Sequence, residues 1–244
     1  NSSNNVLAGG EGNDIIDGGS GSDTVSYAGL SAGVTINLST GAVSGAGGSD
    51  TLISIENVLG TDHNDSFVGG GNASVLDGGG GSDSLSYSAS LVAITGNLAT
   101  GTVSRGGVSD SALNFENLTG SAFDDVLAGN GSANRLIGGS GNDNMSGGAG
   151  DDHLIGGAGN DILDGGSGNN IIDGGAGFDY LSFASAYASV SINVVTGSIY
   201  SLGAGNDTVS GVEGYIGSSY HDTFVSGAGD DAFDGGAGLD LVSY

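Results

Sequence analysis

A nine-residue repeat constrains the fold of this chain more than any other feature of its sequence. From residue 138 onward the chain reads GGSGNDNMS, GGAGDDHLI, GGAGNDILD, GGSGNNIID and GGAGFDYLS, with Gly at positions 1, 2 and 4, Asp or Asn at position 6 and an apolar residue at position 8. The same frame runs through blocks 1–26, 60–86, 120–182 and 217–243. A repeat of this length predicts a solenoid, because one unit buries its apolar residue only against stacked neighbours.

The residues at position 8 are all apolar. These sixteen residues are Leu7, Ile16, Val25, Phe67, Leu76, Leu85, Leu127, Leu136, Met145, Leu154, Leu163, Ile172, Leu181, Phe224, Phe233 and Val242. Glycine tolerates the positive φ angles of a tight turn, so positions 1–6 are predicted to turn and positions 7–9 to form a short strand. Two nonapeptides then make one coil, here called a rung, and successive rungs stack about 4.8 Å apart. We therefore expect an all-β fold, one continuous parallel β-solenoid over residues 1–244.

A longer unit is superimposed on the nonapeptides. The element Asp-x-x-Ser-Tyr, with Phe in one copy, recurs at 23–27, 83–87, 179–183 and 240–244. Segments 27–59, 87–119 and 183–216 join the blocks, and they carry alternating stretches at 34–38, 94–98 and 190–194. Period-two alternation of β-branched residues predicts half-buried strands, and we interpret these segments as wider, strand-rich rungs of the same solenoid.

The composition excludes several classes of function. The chain has 28 Asp and Glu against 2 Lys and Arg, a formal net charge of −26. Nucleic-acid binding is excluded because it requires many cationic side chains. Cysteine is absent, and no apolar run is long enough for a transmembrane segment. The HExxH motif is also absent, and carboxylates are too abundant for any one pair to indicate catalysis, so we expect this segment not to be an enzyme.

Position 6 places a carboxylate at the end of each turn. Two bare carboxylates about 5 Å apart repel each other by about 3 kcal/mol at an effective dielectric of 20, so a stacked column of them requires a cation. Carboxylate and backbone carbonyl oxygens form a hard shell that suits Ca²⁺ better than Mg²⁺ or Zn²⁺, and we expect several calcium ions. The twelve candidate metal ligands are Asp14, Asp23, Asp65, Asp83, Asp125, Asp143, Asp152, Asp161, Asp179, Asp222, Asp231 and Asp240.

The alternative is that an aspartate caps its own turn through hydrogen bonds to local amides. Four repeats carry another residue at position 6, and we expect weaker or missing sites there. These residues are Asn5, Ser74, Asn134 and Asn170. Three glutamates also fall at position 6, and each is interpreted as either a metal ligand or a turn cap. They are Glu56, Glu116 and Glu213. Asp50 lies outside the frame and is expected to matter less.

These residues resemble the RTX, or haemolysin-type, calcium-binding repeat GGxGxDxUx, with the most specific match in block 129–182. The resemblance covers somewhat more than half of the chain. It implies a right-handed parallel β-roll with Ca²⁺ between successive turns, bound by the twelve aspartates and by carbonyl groups of the Gly-rich positions. It also implies export in an unfolded state by a type I secretion system of a Gram-negative cell, followed by folding in extracellular calcium.

Two functions agree with these features. The first is a secreted, calcium-binding structural protein at the cell surface, such as a surface-layer, adhesin or extracellular filament component, that self-associates through its solenoid ends. The alternative is a C-terminal secretion and folding module of an exported enzyme such as a protease or lipase. The long unit recurs about three times and the sequence contains no recognisable enzymatic domain besides it, which favours the first function.

Overall fold

The computed structural model describes residues 1–45, 47–201, 205–227, 229 and 231–244, and every regular element in these residues is a β-strand. Residues 46, 202–204, 228 and 230, which fall within the predicted segments 27–59, 183–216 and 217–243, lie outside the described residues. No helix that could cross a membrane occurs in the described part of the chain. The chain forms two compact units, Asn1–Thr119 and Gly120–Tyr244. The predicted all-β class is confirmed.

The first unit contains two sheets. Its strands are β1 Val6–Leu7, β2 Ile15–Asp17, β3 Thr24–Ser26, β4 Val34–Asn37, β5 Ala42–Gly45, β6 Gly48–Ile53, β7 Asn57–Leu59, β8 Ser66–Val68, β9 Val75–Asp77, β10 Ser84–Ser86, β11 Ile94–Asn97, β12 Thr102–Arg105, β13 Val108–Leu113 and β14 Asn117–Thr119. Within this unit one sheet has the order β1-β3-β7-β9-β13-β12-β11 and the other β2-β6-β5-β4-β8-β10-β14. Consecutive nonapeptide strands therefore alternate between the two sheets, as in a β-roll.

The second unit follows the same plan. Its strands are β15 Val126–Ala128, β16 Arg135–Ser140, β17 Asn144–Ser146, β18 His153–Ala158, β19 Ile162–Asp164, β20 Ile171–Ala176, β21 Tyr180–Ser182, β22 Val190–Asn193, β23 Ser198–Ser201, β24 Thr208–Ser210, β25 Gly214–Ile216, β26 Thr223–Val225, β27 Ala232–Asp234 and β28 Leu241–Ser243. Within this unit the orders are β15-β17-β19-β21-β25-β27, β16-β18-β20-β24 and β23-β22-β26-β28.

The core consists of columns of position-8 side chains. In the second unit, β15, β17, β19 and β21 pair in parallel with a shift of eighteen residues, which stacks Leu127, Met145, Leu163 and Leu181. These four side chains are at most 1% exposed. Of the sixteen position-8 residues, all are buried except two half-buried ones and Val242, which is exposed. The nonapeptide frame therefore sets both the register and the core of the roll.

The joining segments differ from the predicted wider rungs because they reverse direction. Strands β4, β5 and β6 pair in antiparallel order, as do β11, β12 and β13, while β22 and β23 form an antiparallel hairpin. An Asn-x-x-Thr-Gly sequence makes the first reversal: Oδ1 of Asn37 accepts the backbone N–H of Ser39 and Thr40, and Gly41 takes a φ of 73°. The alternating stretches do form strands β4, β11 and β22. Continuity of the solenoid over residues 1–244 stays a prediction.

Candidate metal centre

Glycine at position 1 makes room for the carboxylate at position 6. A Cβ on Gly156 would lie 2.2 Å from Oδ2 of Asp161 and 2.5 Å from the carbonyl oxygen of Gly174 in the next rung. Gly157 and Gly159, at positions 2 and 4 of the same turn, have φ angles of 114° and 138°, which a residue with a side chain rarely adopts. The carboxylate is thus held against the backbone of two stacked turns.

The position-6 residues form a ladder between turns. The backbone N–H of Asp143 donates to Oδ1 of Asp161, and that of Asp161 donates to Oδ1 of Asp179, both at 2.8 Å. The same bond, at 2.7–2.9 Å, joins Asn5 to Asp23, Asp65 to Asp83, Asp125 to Asp143, Asn134 to Asp152, Asp152 to Asn170 and Asp222 to Asp240. In each of these pairs, one side-chain oxygen therefore contacts the turn eighteen residues earlier.

The second carboxylate oxygen distinguishes two kinds of turn. In seven aspartates Oδ2 is buried and has no hydrogen-bond partner among the residues that the structure describes, and we call these the open aspartates. They are Asp14, Asp23, Asp83, Asp143, Asp152, Asp161 and Asp179. Burial raises the pKa of Asp83 and Asp143 to about 7 and that of Asp152 to about 6. It also raises the pKa of Asp161 and Asp179.

In the second kind of turn, the carboxylate is satisfied locally, and we call these the capped aspartates. Oδ2 of Asp125 accepts the backbone N–H of Ser121 at 2.5 Å, and Oδ1 accepts the Ser121 hydroxyl at 2.8 Å. Thr61 caps Asp65, Ser218 caps Asp222, and residues 226 and 227 cap Asp231. Asp240 is exposed. The signal for capping was the Ser or Thr at position 2 of the turns that open three of the blocks.

The three glutamates bond to an earlier turn as the position-6 aspartates do, and we call such side chains rung carboxylates. Oε2 of each glutamate accepts the backbone N–H of an open aspartate 33 or 34 residues earlier, at 2.8–3.0 Å. The pairs are Glu56 with Asp23, Glu116 with Asp83, and Glu213 with Asp179. Each glutamate thus replaces the position-6 aspartate of the following rung, where a joining segment interrupts the nonapeptide frame.

Three further rung carboxylates were not predicted from the sequence. Asp50 accepts the backbone N–H of Asp14 at 3.0 Å and is 5% exposed, so its placement outside the repeat was wrong. Asp110 accepts the N–H of Ser74 at 3.0 Å, and Asp207 accepts that of Asn170 at 2.9 Å. A signal was present, because an aspartate stands six residues before each of the three glutamates.

These oxygens suit a hard cation whose coordination shell is completed by backbone carbonyl groups. The described residues contain no cluster of three or more His, Cys, Asp or Glu side chains that could hold a metal alone. A carboxylate oxygen and a carbonyl oxygen of successive rungs do face the same space beside Gly156, each within 2.5 Å of the point that a Cβ would occupy. An all-oxygen donor set with unpartnered, buried carboxylate oxygens suits Ca²⁺.

Comparison with known families agrees with this geometry. The model of the RTX calcium-binding nonapeptide repeat, which describes four copies, matches residues 1–29, 59–89, 115–145, 146–181 and 203–242, more than half of the chain. No curated protein matches the chain. The RTX repeat is a calcium-binding structural motif that forms a β-roll, and it is not itself catalytic. The chain therefore belongs to the RTX calcium-binding nonapeptide repeat family.

Proposed function

We propose that this chain is the calcium-folded structural part of a secreted surface-layer, adhesin or filament protein. The observation that carries the proposal is the set of open aspartates, whose Oδ2 atoms are buried without a hydrogen-bond partner in the described residues. An ionised carboxylate is costly to bury unless a cation or a donor compensates it. Because the chain has 28 acidic and only 2 basic residues, the compensating cations must come from solution.

The open aspartates are the residues that would hold the ions, together with carbonyl groups of the stacked turns. In the second unit Asp143, Asp161 and Asp179 form one column, and Asp152 belongs to the opposite row of turns. Bound Ca²⁺ would supply the charge that allows these carboxylates to stay ionised when buried. The capped aspartates are weaker candidates as ligands, because hydrogen bonds within their own turn occupy both oxygens of Asp65, Asp125 and Asp222 and one oxygen of Asp231.

Export agrees with calcium-dependent folding. RTX repeat proteins are generally secreted by type I systems, and low cytosolic calcium would keep the chain open because ligand binding supplies part of the free energy of folding. The proposed location is therefore extracellular, at the cell surface. The single G-x-S-x-G match, at 29–33, does not indicate a hydrolase, because Ser31 is exposed and lies between two strands and not between a strand and a helix.

Size-exclusion chromatography with light scattering tests the proposal. The chain is expected to be expanded in chelator and compact in millimolar Ca²⁺, while NaCl or Mg²⁺ at matched ionic strength leaves it expanded. Ordered multimers in calcium would support a self-assembling structural protein, and a compact monomer would support the secretion and folding module of an exported enzyme. A radius that does not respond to calcium would contradict calcium-driven folding.

A matched pair of variants tests the assignment of the ligands. Asp152 and Asp151 are adjacent in one turn, but Asp152 is buried and open whereas Asp151 is exposed. Each Asp→Asn change removes one charge. Asp152→Asn is expected to raise the calcium concentration at half-folding by about tenfold, the equivalent of about 1.4 kcal/mol, and Asp151→Asn to leave it near the wild-type value. Equal midpoints for the two variants would refute the assignment.

A further inference from the structure

The first unit contains one buried cationic side chain. Arg105 is 8% exposed, and its guanidinium forms an ion pair with Asp110 and donates to the carbonyl oxygens of Gly70 and, at 3.1 Å, Asn72. The guanidinium also lies over the ring of Tyr87, 4.9 Å from its centroid. All of the acceptors that it contacts are oxygen atoms.

These oxygens belong to the repeat. Gly70 and Asn72 occupy positions 2 and 4 of the turn 69–74, and Ser74 occupies position 6, where the repeat normally has a carboxylate. The backbone N–H of Ser74 donates to Asp110, the carboxylate of the next rung. The guanidinium therefore sits between the carbonyl groups of one turn and the carboxylate of the turn stacked on it, which is where the repeat would place a cation.

The sequence of the two equivalent segments, 27–59 and 183–216, contains no Lys or Arg. Strand pairing places Arg105 opposite Ile94, and the same register places Gly45 opposite Val34 and Ser201 opposite Val190. In the rung that includes the first of these segments, two carboxylates replace the pair of Ser74 and Asp110: the backbone N–H of Asp14 donates to Asp50, and Oδ2 of Asp14 is open. In the second, Asn170 and Asp207 replace the pair, so a carboxylate is lost there without a cation. The fixed cation is thus particular to the rung of Ser74 and Asp110.

We infer that Arg105 replaces a calcium ion in its rung, so that the turn 69–74 and Asp110 are joined without metal at any calcium concentration. A guanidinium suits this role because its several N–H donors can contact carbonyl and carboxylate oxygens at the same time. The inference rests on the proposed function, since it assumes that calcium joins the other rungs. It identifies one rung of the first unit that stays linked when calcium is removed.

An exchange of residues tests the inference. The variant Ser74→Asp/Arg105→Ser restores the carboxylate and removes the fixed cation, and is expected to bind one more calcium ion per chain than the wild type, as counted by native mass spectrometry in excess Ca²⁺. Arg135→Ser removes the only other arginine, which is exposed, and should leave the count unchanged. Equal, non-zero counts for the exchange variant and the wild type would overturn the inference alone. A wild-type count of zero would refute the proposed function.

Ser74→Asp alone provides a test if the exchange variant folds poorly. This variant keeps Arg105 and adds a carboxylate beside it, so it is expected to fold and to bind no additional ion. An additional ion in this variant would overturn the inference, because a space filled by a guanidinium has no room for Ca²⁺.

Terbium luminescence locates the new ion in the exchange variant. Tyr87 contacts the space that the guanidinium occupies, so Tb³⁺ bound there should show tyrosine-sensitised emission above the wild-type level. Adding Tyr87→Phe should abolish that increase. An increase that survives Tyr87→Phe would place the ion elsewhere and would also overturn the inference.

Discussion

The turns 120–125 and 156–161 of the second unit share one frame and one aspartate position, yet they satisfy the carboxylate in different ways. In the first turn Ser121, at position 2, donates both its backbone N–H and its hydroxyl to Asp125. In the second turn Gly157, at position 2, takes a φ of 114°, and Oδ2 of Asp161 has no hydrogen-bond partner in the described part of the chain. A Ser or Thr at position 2 therefore marks a capped turn, although Asp231 is capped by Ser226 and Gly227 with glycine at position 2.

This difference predicts fewer metal ligands than the number of aspartates at position 6. Of the twelve predicted ligands, seven are open, four are capped and Asp240 is exposed. The two kinds of turn also differ in what they require to fold. A capped turn is complete without any ion, whereas an open turn buries a charge that only a proton or a cation can compensate.

The largest expected effect is at an open turn, where one substitution should destabilise the chain in calcium and stabilise it in chelator. Asp161→Asn should lower the free energy of unfolding by about 1.5–3 kcal/mol in calcium, because a charged ligand is lost. In chelator at pH 8 the same variant should be more stable than the wild type, because a neutral amide costs less to bury than a carboxylate. Asn170 shows that Asn can accept the same ladder bond, from Asp152 at 2.9 Å.

Asp125→Asn is the matched control at a capped turn. Its amide oxygen can accept the backbone N–H of Ser121, as Oδ1 of Asn134 accepts that of Asn130 at 2.7 Å, so any change in stability should be small and the same with and without calcium. Calcium and osmolyte titrations of the two variants, followed by circular dichroism, measure both conditions. The distinction between open and capped turns fails if the two variants respond to calcium in the same way.

A smaller effect is expected from pH in the metal-free chain. Burial raises the pKa of Asp83 and Asp143 from 3.8 to about 7, so the folded state binds more protons than the unfolded state between these values. Stability should therefore be greatest below about pH 4, fall as pH rises to about 7 and level off above it. Thermal unfolding in chelator over this range measures the effect.

Repulsion among the many acidic groups changes with pH in the same direction, and high salt separates the two causes. NaCl screens exposed charges but has little effect on the cost of burying a carboxylate. The decline should therefore persist in 0.5 M NaCl and be smaller in Asp143→Asn. With saturating calcium the trend should reverse, because protons and Ca²⁺ compete for the same oxygens. If the decline in stability with rising pH disappears in high salt, burial of the carboxylates is not its cause.

Much of the fold could be predicted from the nonapeptide frame, because a strict period sets both turns and core. The alternation of turn and strand, the parallel stacking and the burial of residues such as Leu136 and Leu154 follow from Gly at positions 1, 2 and 4 and an apolar residue at position 8. The stacking of position-6 carboxylates eighteen residues apart also follows from the period alone. These features depend only on local conformation and on the repeat length.

Features that depend on contacts outside the frame could not be predicted in the same way. Asp50 takes part in the ladder because the antiparallel strands β4, β5 and β6 return the chain to the frame of residues 1–26. Asp50 stands 36 residues, or four nonapeptides, after Asp14, and Leu52 serves as its position-8 residue. Arg105 reaches Gly70 only because the hairpin of β11 and β12 sets it opposite Ile94. The contact of Arg105 has no local sequence signal because it joins residues 35 positions apart, whereas Asp50 had one in the aspartate that stands six residues before each glutamate.

The smallest expected effect comes from removing a cap. Ser121→Ala deletes the hydroxyl that donates to Asp125 but keeps the backbone N–H bond, so it should lower the free energy of unfolding by about 1 kcal/mol. Ser132→Ala, at an exposed serine of the next turn, should change it little. Because the cap is independent of metal, the loss at Ser121 should be the same in calcium and in chelator, and the number of bound ions should stay at the wild-type value. A loss confined to the calcium condition would mean that Asp125 is a metal ligand after all, and that a Ser or Thr at position 2 does not mark a capped turn.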